Sequence, residues 1–385
     1  MTTLDLFAPG HFADPYPRYR DVRGQTPARM DEGGAWVFMK HRDVDRVLRD
    51  PATFSSKGLG GPGGFALPLI GDDPPRHGRL RAIVNRAFTP RRVAELEPWI
   101  TNAARQLLDA FEPGIDTDLV DAFAIPLPVR VIALLLGIPG DDYLQFKEWS
   151  DAVIGISDES RRQGGVSAGM QMAAYFSGVA DERRKSPGDD LISALVAAEV
   201  EGEKLTQMEV LGFCILLLIA GNETTTNLIG NTFGLLAERP ELWARLRADR
   251  ALVEPLIEES LRYESPVQLL IRTATRDVEV SGSEIGAGSS VVISFGAANR
   301  DPDEFEDAET FVSDRQKNNH LAFGYGIHFC LGAPLARLEA RVTLNAFLDR
   351  FETIAPGVTP AVRTANPIIF GYEHLPLELA VRRQG

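Results

Sequence analysis

The sequence predicts a mainly α-helical protein with a smaller β-rich part. Helical patterns with recognisable first and last residues recur over most of its 385 residues. Strand-like pieces rich in β-branched residues lie between 271 and 295. The third observation is a glycine-rich segment around Cys330, which directly precedes one more helical pattern.

Prolines, glycines and capping residues mark the ends of the predicted helices. The 72–75 segment opens a helix that runs to about residue 88 and stops before Pro90. Thr206 and Glu209 have the spacing of a capping box, which starts a long helix over about 206–237. Pro240 begins the next helix, and the remaining helical patterns lie at 93–111, 127–136 and 254–263.

Strands and irregular segments are predicted from other features of the sequence than the helix ends. Strand-like pieces lie at 271–275, 278–280 and 291–295. The 299–319 segment is polar and irregular, and a loop of that length is uncommon in a compact domain unless it has a function. The 55–68 segment contains five glycines, too many for regular structure.

Composition and charge narrow the class of protein. Forty basic against 54 acidic residues give a net charge of −14, which argues against a nucleic-acid binder. Two cysteines, Cys214 and Cys330, form no disulfide framework and indicate a reducing compartment. The N-terminal residues lack the pattern of a signal peptide, and the apolar 210–221 segment is too short to span a membrane. We therefore expect a cytoplasmic protein without membrane attachment.

The 323–334 segment places one cysteine where its thiolate would be stabilised. Glycines permit tight turns here, and Pro334 suits the first position of a helix, so Cys330 is expected at a helix N-terminus. The helix dipole and free amides there favour the anionic sulfur that binds metals. A single thiolate suits haem iron, whereas structural zinc requires several cysteines or histidines. The alternative is a small buried hydrophobic cysteine.

The letters F-G-Y-G-I-H-F-C-L-G over 323–332, followed by A-P-L-A-R-L-E, resemble the haem-ligand loop of the cytochrome P-450 superfamily. The resemblance recurs in order along almost the whole chain. It implies one cytochrome P-450 domain over 1–385 that is mostly helical with a smaller strand-rich part. It also implies haem b (iron protoporphyrin IX) as cofactor and Cys330 as the axial ligand of its iron.

The middle of the long helix carries polar residues among apolar ones. Buried carboxylates and hydroxyls need partners, and the residues alone indicate a kink whose polar groups bond locally. Gly221 removes a side chain, so a ligand could approach the backbone. The 220–225 segment is similar to the family's oxygen-activation motif, which implies Ala220 and Gly221 at the haem, Glu223 as the acid and Thr224 as the alcohol of a proton relay.

Four cationic residues match the family's donors to the haem propionates. His77 and Arg81 lie four apart on one predicted helix, and Arg272 lies at a predicted strand start. His328 precedes the cysteine by two residues. Without the resemblance, His77 and Arg81 indicate a solvated basic face, whereas the resemblance implies that all four bind propionates.

A second set of charges is implied to be structural. Glu259 and Arg262 are three apart, which by itself is a weak signal. The resemblance assigns both to a buried ion-pair network with an arginine of the 299–319 segment, for which Arg315 is the candidate. These residues are expected to support the haem loop without taking part in the chemistry.

The electron supply is expected to be external. The 76–92 segment has six arginines, one histidine and no acid, which would steer an acidic partner or would only bind propionates and water. No glycine-rich dinucleotide fingerprint follows a predicted strand, so direct NAD(P)H binding is not expected. Similarity to soluble bacterial members implies a ferredoxin or flavodoxin with its NAD(P)H reductase.

The resemblance implies a haem-thiolate monooxygenase that inserts one atom of dioxygen into an organic substrate by hydroxylation or epoxidation. The segments implied to line the pocket are mostly aliphatic and indicate an apolar, medium-sized substrate such as a terpenoid, steroid or fatty acyl compound; they are 58–69, 157–167, the helix near Ile219 and Ala220, 267–270 and 368–370. Two alternatives stay open. A peroxide-driven peroxygenase typically lacks the acid and alcohol pair, and a non-catalytic haem-thiolate sensor would not need it.

Overall fold

The computed structural model describes residues 3–4, 11–30, 34–57, 67–85, 88–111, 116–138, 145–149, 159–200 and 203–381. The described part of the chain is mainly helical, with several small sheets, as predicted. The chain divides into two compact units. The first comprises Met1–Ser55, Glu97–Ala124 and Thr224–Gly385, and the second comprises Ser56–Leu96 and Ile125–Glu223.

The helices, in chain order, are α1 Tyr16–Arg23, α2 His41–Arg49, α3 Arg76–Asn85, α4 Pro90–Glu95, α5 Glu97–Asp109, α6 Pro126–Leu136, α7 Glu159–Lys185, α8 Leu191–Ala197, α9 Gln207–Ala237, α10 Pro240–Ala248, α11 Val253–Tyr263, α12 Phe295–Ala298 and α13 Ala333–Arg350. Val120–Ala124 forms a π-helical turn, and Arg250–Leu252 and Gly326–His328 form 3-10 turns. Residues 145–149 are also helical.

The strands are β1 Thr3–Leu4, β2 Ala28–Met30, β3 Trp36–Phe38, β4 Phe54–Ser55, β5 Thr117–Asp118, β6 Glu199–Val200, β7 Glu203–Lys204, β8 Leu269–Ala274, β9 Val278–Val280, β10 Ser283–Ile285, β11 Ser290–Ser294, β12 Phe351–Pro356, β13 Val362–Arg363, β14 Tyr372–His374 and β15 Pro376–Val381. The largest sheet has the order β1-β2-β3-β11-β8-β4 and lies in the first unit. Strand β11 runs parallel to β3 and antiparallel to β8, with Val291 opposite Arg272.

Several predicted helix ends are confirmed in detail. Thr206 and Glu209 form the capping box: Thr206 N donates to Glu209 Oε2 over 2.7 Å, and Glu209 N donates to Thr206 Oγ1 over 3.2 Å. Helix α6 ends at Gly137, whose φ of 72° suits glycine. The 299–319 segment contains no helix or strand, as predicted.

Other predicted boundaries are wrong. The single helix predicted over 93–111 is two helices that meet at Leu96, because Pro98 has no backbone N–H to continue the hydrogen-bond ladder. Most of the 157–167 segment, which the resemblance implies to line the pocket, belongs to helix α7, which begins at Glu159. The glycines between 58 and 64 lie outside the described residues.

An aromatic cluster in the first unit fixes the helix that follows the cysteine loop. The ring of Phe347 on α13 lies 4.9 Å from that of Phe123 and 4.5 Å from that of Phe233 on α9. All three side chains are fully buried. Aromatic pairs of this kind stabilise the fold beyond the burial of their apolar area, so they hold α13 in place within the first unit.

Helix α9 is longer than the apolar 210–221 segment that it contains. By length and composition alone it is the one helix among the described residues that could cross a membrane. However, 61% of its most apolar window is buried inside the protein. A buried core helix has the same properties, so the helix needs no membrane to account for its composition.

Candidate active site

The cysteine loop is closed by its own backbone. Cys330 N donates a hydrogen bond to Phe323 O over 2.9 Å, which brings the two ends of the loop together. Gly324 and Gly326 have φ values of 67° and 70°, a conformation that favours glycine. A side chain at Gly326 would also collide with the carbonyl oxygen of Leu48. Backbone geometry therefore favours glycine at 324 and requires it at 326.

Cys330 precedes the N-terminus of α13, as predicted. It lies three residues before Ala333, the first helical residue, and Pro334 is the second helical residue rather than the first. The side chain of Cys330 is half-buried. The other cysteine, Cys214, is fully buried, and burial raises its pKa to about 12, so Cys214 stays a neutral thiol.

Cys330 does not belong to a multi-ligand metal site. Within the described residues, the group that brings three possible metal ligands together is Asp118, Asp121 and His374, and it does not include Cys330. Structural zinc takes four such ligands. The chemistry of a single thiolate therefore fits haem iron better than structural zinc.

The predicted propionate donors occupy helix α3, strand β8 and the cysteine loop. Arg272 is only 4% exposed, and its Nη1 donates to the carbonyl of Ile271 over 2.8 Å. It is the fourth of six residues of β8 rather than its start. His328 ends the 3-10 turn of the cysteine loop. Arg272, His328 and Cys330 all belong to the first compact unit.

His77 and Arg81 lie on α3 in the second unit. His77 is 3% exposed, and burial, followed by the charge of Arg81, lowers its pKa. Arg81 is half-buried, and its Nε donates to Asn85 Oδ1 over 3.1 Å. A buried histidine next to an arginine is a donor set that suits an anion, because an anion would relieve the repulsion between the two groups.

Helix α9 is buried along most of its length but is more exposed to solvent at its polar middle. Ala220 is exposed, and Gly221, Glu223 and Thr224 are half-buried between fully buried neighbours. The open approach predicted at Gly221 takes a different form: a Cβ there would lie 3.2 Å from Ile132 Cδ1 of α6. The glycine thus lets α6 pack closely, and the small exposed side chain on this segment is Ala220.

Glu223 has a partner that the sequence does not reveal. Lys147 Nζ lies 3.1 Å from Glu223 Oε1, and the two side chains are 18% and 13% exposed. The residues are 76 positions apart, and no local pattern links them. The ion pair meets the requirement that a mostly buried carboxylate have a charged or hydrogen-bonding partner.

Other polar groups of α9 bond to backbone carbonyls. Thr226 Oγ1 donates to Ala124 O over 2.9 Å, and Thr232 Oγ1 donates to Leu228 O over 2.7 Å. Asn231 Nδ2 donates to Glu264 O and Phe370 O. The locally bonded alternative therefore describes Thr232, which lies after the predicted relay residues, whereas Thr226 bonds to a carbonyl that is distant in sequence.

The predicted structural network is present, and the side chains of Glu259 and Arg262 in it are fully buried. Arg262 forms two hydrogen bonds of 2.7 and 2.8 Å with the carboxylate of Glu259, and Arg315 Nε donates to the same carboxylate over 3.0 Å. Arg262 also donates to the carbonyls of Asn299, Ala308 and Thr310. The irregular 299–319 segment is thus folded around one buried ion pair.

The basic 76–92 segment is less cationic in three dimensions than in sequence. Arg76 pairs with Asp72 and with Glu209, which α9 supplies. Arg91 pairs with Glu95, and Arg92 lies 3.6 Å from Asp189. Acids that are close in sequence or brought in by the fold neutralise part of the predicted basic face.

The comparison with known proteins decides the family. The sequence model described as Cytochrome P450 matches residues 166–380. This chain belongs to the cytochrome P450 family. It is 40% identical to the cytochrome P450 monooxygenase PikC of Streptomyces venezuelae, over 97% of this chain and 94% of that protein.

Two further P450 relatives are similar over nearly their whole length. The erythromycin C-12 hydroxylase of Saccharopolyspora erythraea is 40% identical over 92% of both chains. The crystal structure of CYP109E1 from Bacillus megaterium in complex with testosterone has 40% identity and a TM-score of 0.91, covering 96% of this chain and 99% of that one. This P450 is a haem-thiolate monooxygenase with haem b as cofactor, and it requires a redox partner and an organic substrate.

Propionate binding by Arg81 and Arg272 is a prediction that substitution can test. Arg81→Ala and Arg272→Ala are expected to lower haem occupancy, because a buried propionate without its donor is an uncompensated charge. The ratio of Soret to protein absorbance after purification measures occupancy. Arg91→Ala, which removes an exposed arginine paired with Glu95, is the matched control. Normal occupancy in the Arg81→Ala/Arg272→Ala double variant would exclude propionate binding by these residues.

Proposed function

We propose that this P450 hydroxylates or epoxidises an apolar molecule of about steroid size, with Cys330 as the thiolate ligand of its haem. The observation that carries the proposal is the cysteine loop: a half-buried sulfur next to a helix N-terminus, on a backbone closed by the bond from Cys330 N to Phe323 O. Such a loop presents one thiolate in a fixed position, which is what a haem iron needs from a single protein ligand.

Each remaining site residue has a proposed role. Haem held at this site would activate dioxygen for cleavage, with electrons from the external redox partner. His77, Arg81, Arg272 and His328 hold its propionates by charge-assisted hydrogen bonds. Ala220 is proposed to face the haem, where a small side chain on α9 leaves room for dioxygen and substrate, whereas Gly221 packs against Ile132 of α6.

The proton supply is assigned to two adjacent residues of α9. The Thr224 hydroxyl would donate a proton at its Oγ1, and a proton that the Glu223 carboxylate takes up from water would replace it. Lys147 holds Glu223 Oε1 at 3.1 Å and so orients the carboxylate between turnovers. An acid and alcohol pair favours a monooxygenase, which consumes protons with dioxygen, because a sensor would not need the pair and a peroxygenase typically lacks it.

Two of the segments proposed to line the substrate pocket lie side by side in the first unit. Gln268 N donates to Ile368 O over 2.7 Å, and Val267 pairs with Ile369 in an isolated antiparallel bridge. Val267, Leu270, Ile368 and Ile369 are half-buried aliphatic residues. An aliphatic surface favours an apolar ligand, and the B. megaterium P450 binds testosterone.

We propose that electrons come from a ferredoxin or flavodoxin and its NAD(P)H reductase. The 76–92 segment has six arginines and no acid, which supports an acidic partner, although Asp72, Glu95, Asp189 and Glu209 neutralise part of that charge. The single domain over 1–385 and the cytoplasmic location are proposed as well. They are supported by relatives that match almost the whole chain and by the burial of α9.

Turnover under labelled dioxygen tests the reaction class. A panel of steroids is first titrated into the ferric protein, and compounds that shift the Soret band from low spin to high spin are selected. Each is then incubated under ¹⁸O₂ with NADPH and a surrogate ferredoxin and reductase. A monooxygenase places one labelled atom in the product. Product that forms only with added peroxide would indicate a peroxygenase, and binding without product would indicate a sensor.

A further inference from the structure

A second glutamate on α11 lies next to the structural network but points to a different segment. Glu259 bonds to Arg262 and Arg315. Its neighbour Glu258 instead receives two hydrogen bonds from Arg337 of α13: Nε to Oε1 over 2.7 Å and Nη2 to Oε2 over 2.8 Å. This parallel two-bond geometry is the strongest arrangement of an arginine and a carboxylate.

The same carboxylate also contacts the segment that leads into the cysteine loop. His320 Nε2 lies 3.1 Å from Glu258 Oε2, and its Nδ1 accepts a hydrogen bond from Ala322 N over 3.2 Å. Because Nδ1 accepts, the proton on Nε2 points to Glu258. The His320 side chain is almost fully buried, so its position is set by these two bonds.

Arg337 contacts the loop a second time. Its guanidinium lies over the ring of Phe323, 4.5 Å from the ring centroid. The carbonyl of Phe323 is the acceptor for Cys330 N. One carboxylate therefore connects the residues just before the loop and the helix just after it, and the arginine reaches the residue that holds the cysteine backbone.

Electrostatics indicate that the group is charged in the folded protein. Burial by itself raises the pKa of Glu258, but hydrogen bonds from Arg337 and His320 outweigh burial and lower it to about 2. The carboxylate is thus ionised at neutral pH, and the interaction with Arg337 is a charged pair rather than a neutral hydrogen bond.

We propose that Glu258, Arg337 and His320 are positioning residues that keep the Cys330 sulfur oriented as a thiolate ligand. We call these three residues the cysteine-loop clamp. The clamp does not touch the sulfur. It holds residues 320–323 against α13. The loop that carries the sulfur begins at Phe323 and ends at α13, so both of its ends are held. The proposal rests on Cys330 being the haem ligand.

The test measures how long the thiolate-ligated state lasts. The ferrous carbon monoxide complex of the holoprotein is held at a fixed, mildly elevated temperature, and loss of the long-wavelength Soret band is followed over time. Loss of a hydrogen bond to a charged group is expected to shorten the half-life of that band about tenfold in Glu258→Gln. Arg337→Lys keeps the charge but loses the two-bond geometry, so it is expected to act in the same direction.

The matched control is another two-bond pair on the same helix. Arg341 of α13 donates to both carboxylate oxygens of Glu97 on α5, over 3.0 and 2.9 Å. Glu97→Gln removes that pair without involving residues 320–323. It is expected to lower the melting temperature by an amount similar to that of Glu258→Gln, while the band keeps its wild-type half-life.

The outcomes separate positioning from general stability. Shorter half-lives in Glu258→Gln and Arg337→Lys, with a wild-type half-life in Glu97→Gln, support the clamp. Wild-type half-lives in both clamp variants, or equal shortening in all three variants, would overturn it. If Glu258→Gln does not fold, Arg337→Lys decides. If Cys330 is not the ligand, the wild-type protein itself lacks the band, so that failure is distinguishable.

Discussion

Replacement of Thr224 by alanine is expected to uncouple dioxygen consumption from product formation. The variant should bind haem and substrate and continue to consume reducing equivalents. Without the hydroxyl, proton donation at Thr224 Oγ1 would be lost, and the two electrons from NAD(P)H would end in hydrogen peroxide instead of in product and water. General acid catalysis contributes about 10²- to 10⁴-fold, so product per NAD(P)H should fall by a factor in that range while peroxide rises.

Two variants provide the controls for Thr224. Thr224→Ser keeps a hydroxyl and should retain most of the coupling. Thr232→Ala removes a hydroxyl from the same helix, where Oγ1 only donates to Leu228 O, and should leave coupling unchanged. Product and peroxide yields per NAD(P)H, measured with a surrogate ferredoxin and reductase, give the answer. Unchanged coupling in Thr224→Ala would remove the relay role from this residue.

Disruption of the buried network around Glu259 is expected to have the second large effect, a loss of folding stability. Glu259→Gln removes the charge shared by Arg262 and Arg315, and the side chains of Glu259 and Arg262 are fully buried. Removing one partner of a buried ion pair leaves the other charge uncompensated, which costs about 3–5 kcal/mol. We expect the free energy of unfolding of the holoprotein to fall by that amount.

Urea unfolding followed by far-UV circular dichroism measures this change. The control is Asp349→Asn, which removes an exposed ion pair with Arg250 and should cost about 1 kcal/mol or less. If Glu259→Gln lost no more than Asp349→Asn, the network would not stabilise the 299–319 segment in the way we describe.

Local features of the structure could be predicted from the sequence because their causes are local. The capping box at Thr206 depends on two residues three apart, and the end of α6 depends on Gly137. The turns of the cysteine loop depend on Gly324 and Gly326. Each of these features is determined by the conformational preferences of a few adjacent residues.

Features that depend on distant residues could not be predicted in this way. Lys147 pairs with Glu223 across 76 residues, and Glu209 pairs with Arg76 across 133. The pair of Glu209 with Arg76 neutralises part of the positive charge that the 76–92 segment shows in the sequence alone. Charge patterns along a chain therefore overestimate charge on the surface where the fold supplies opposite charges.

The adjacent glutamates of α11 illustrate both situations. The spacing of Glu259 and Arg262 is a local signal, and together with the family resemblance it predicted the buried network. Glu258 is one residue away and carries no such signal, because its partners Arg337 and His320 are 79 and 62 positions distant. Only the packing of α13 and the cysteine loop against α11 reveals its role.

The absorption spectrum of the ferrous carbon monoxide complex tests the central claim most directly. With Cys330 as a thiolate ligand, the wild-type protein should show the long-wavelength Soret band that marks sulfur opposite the gas. Cys330→His should bind haem and carbon monoxide but show only the shorter-wavelength band of nitrogen ligation. A Cys330→Ala or Cys330→His protein that binds haem and keeps the long-wavelength band would contradict the account.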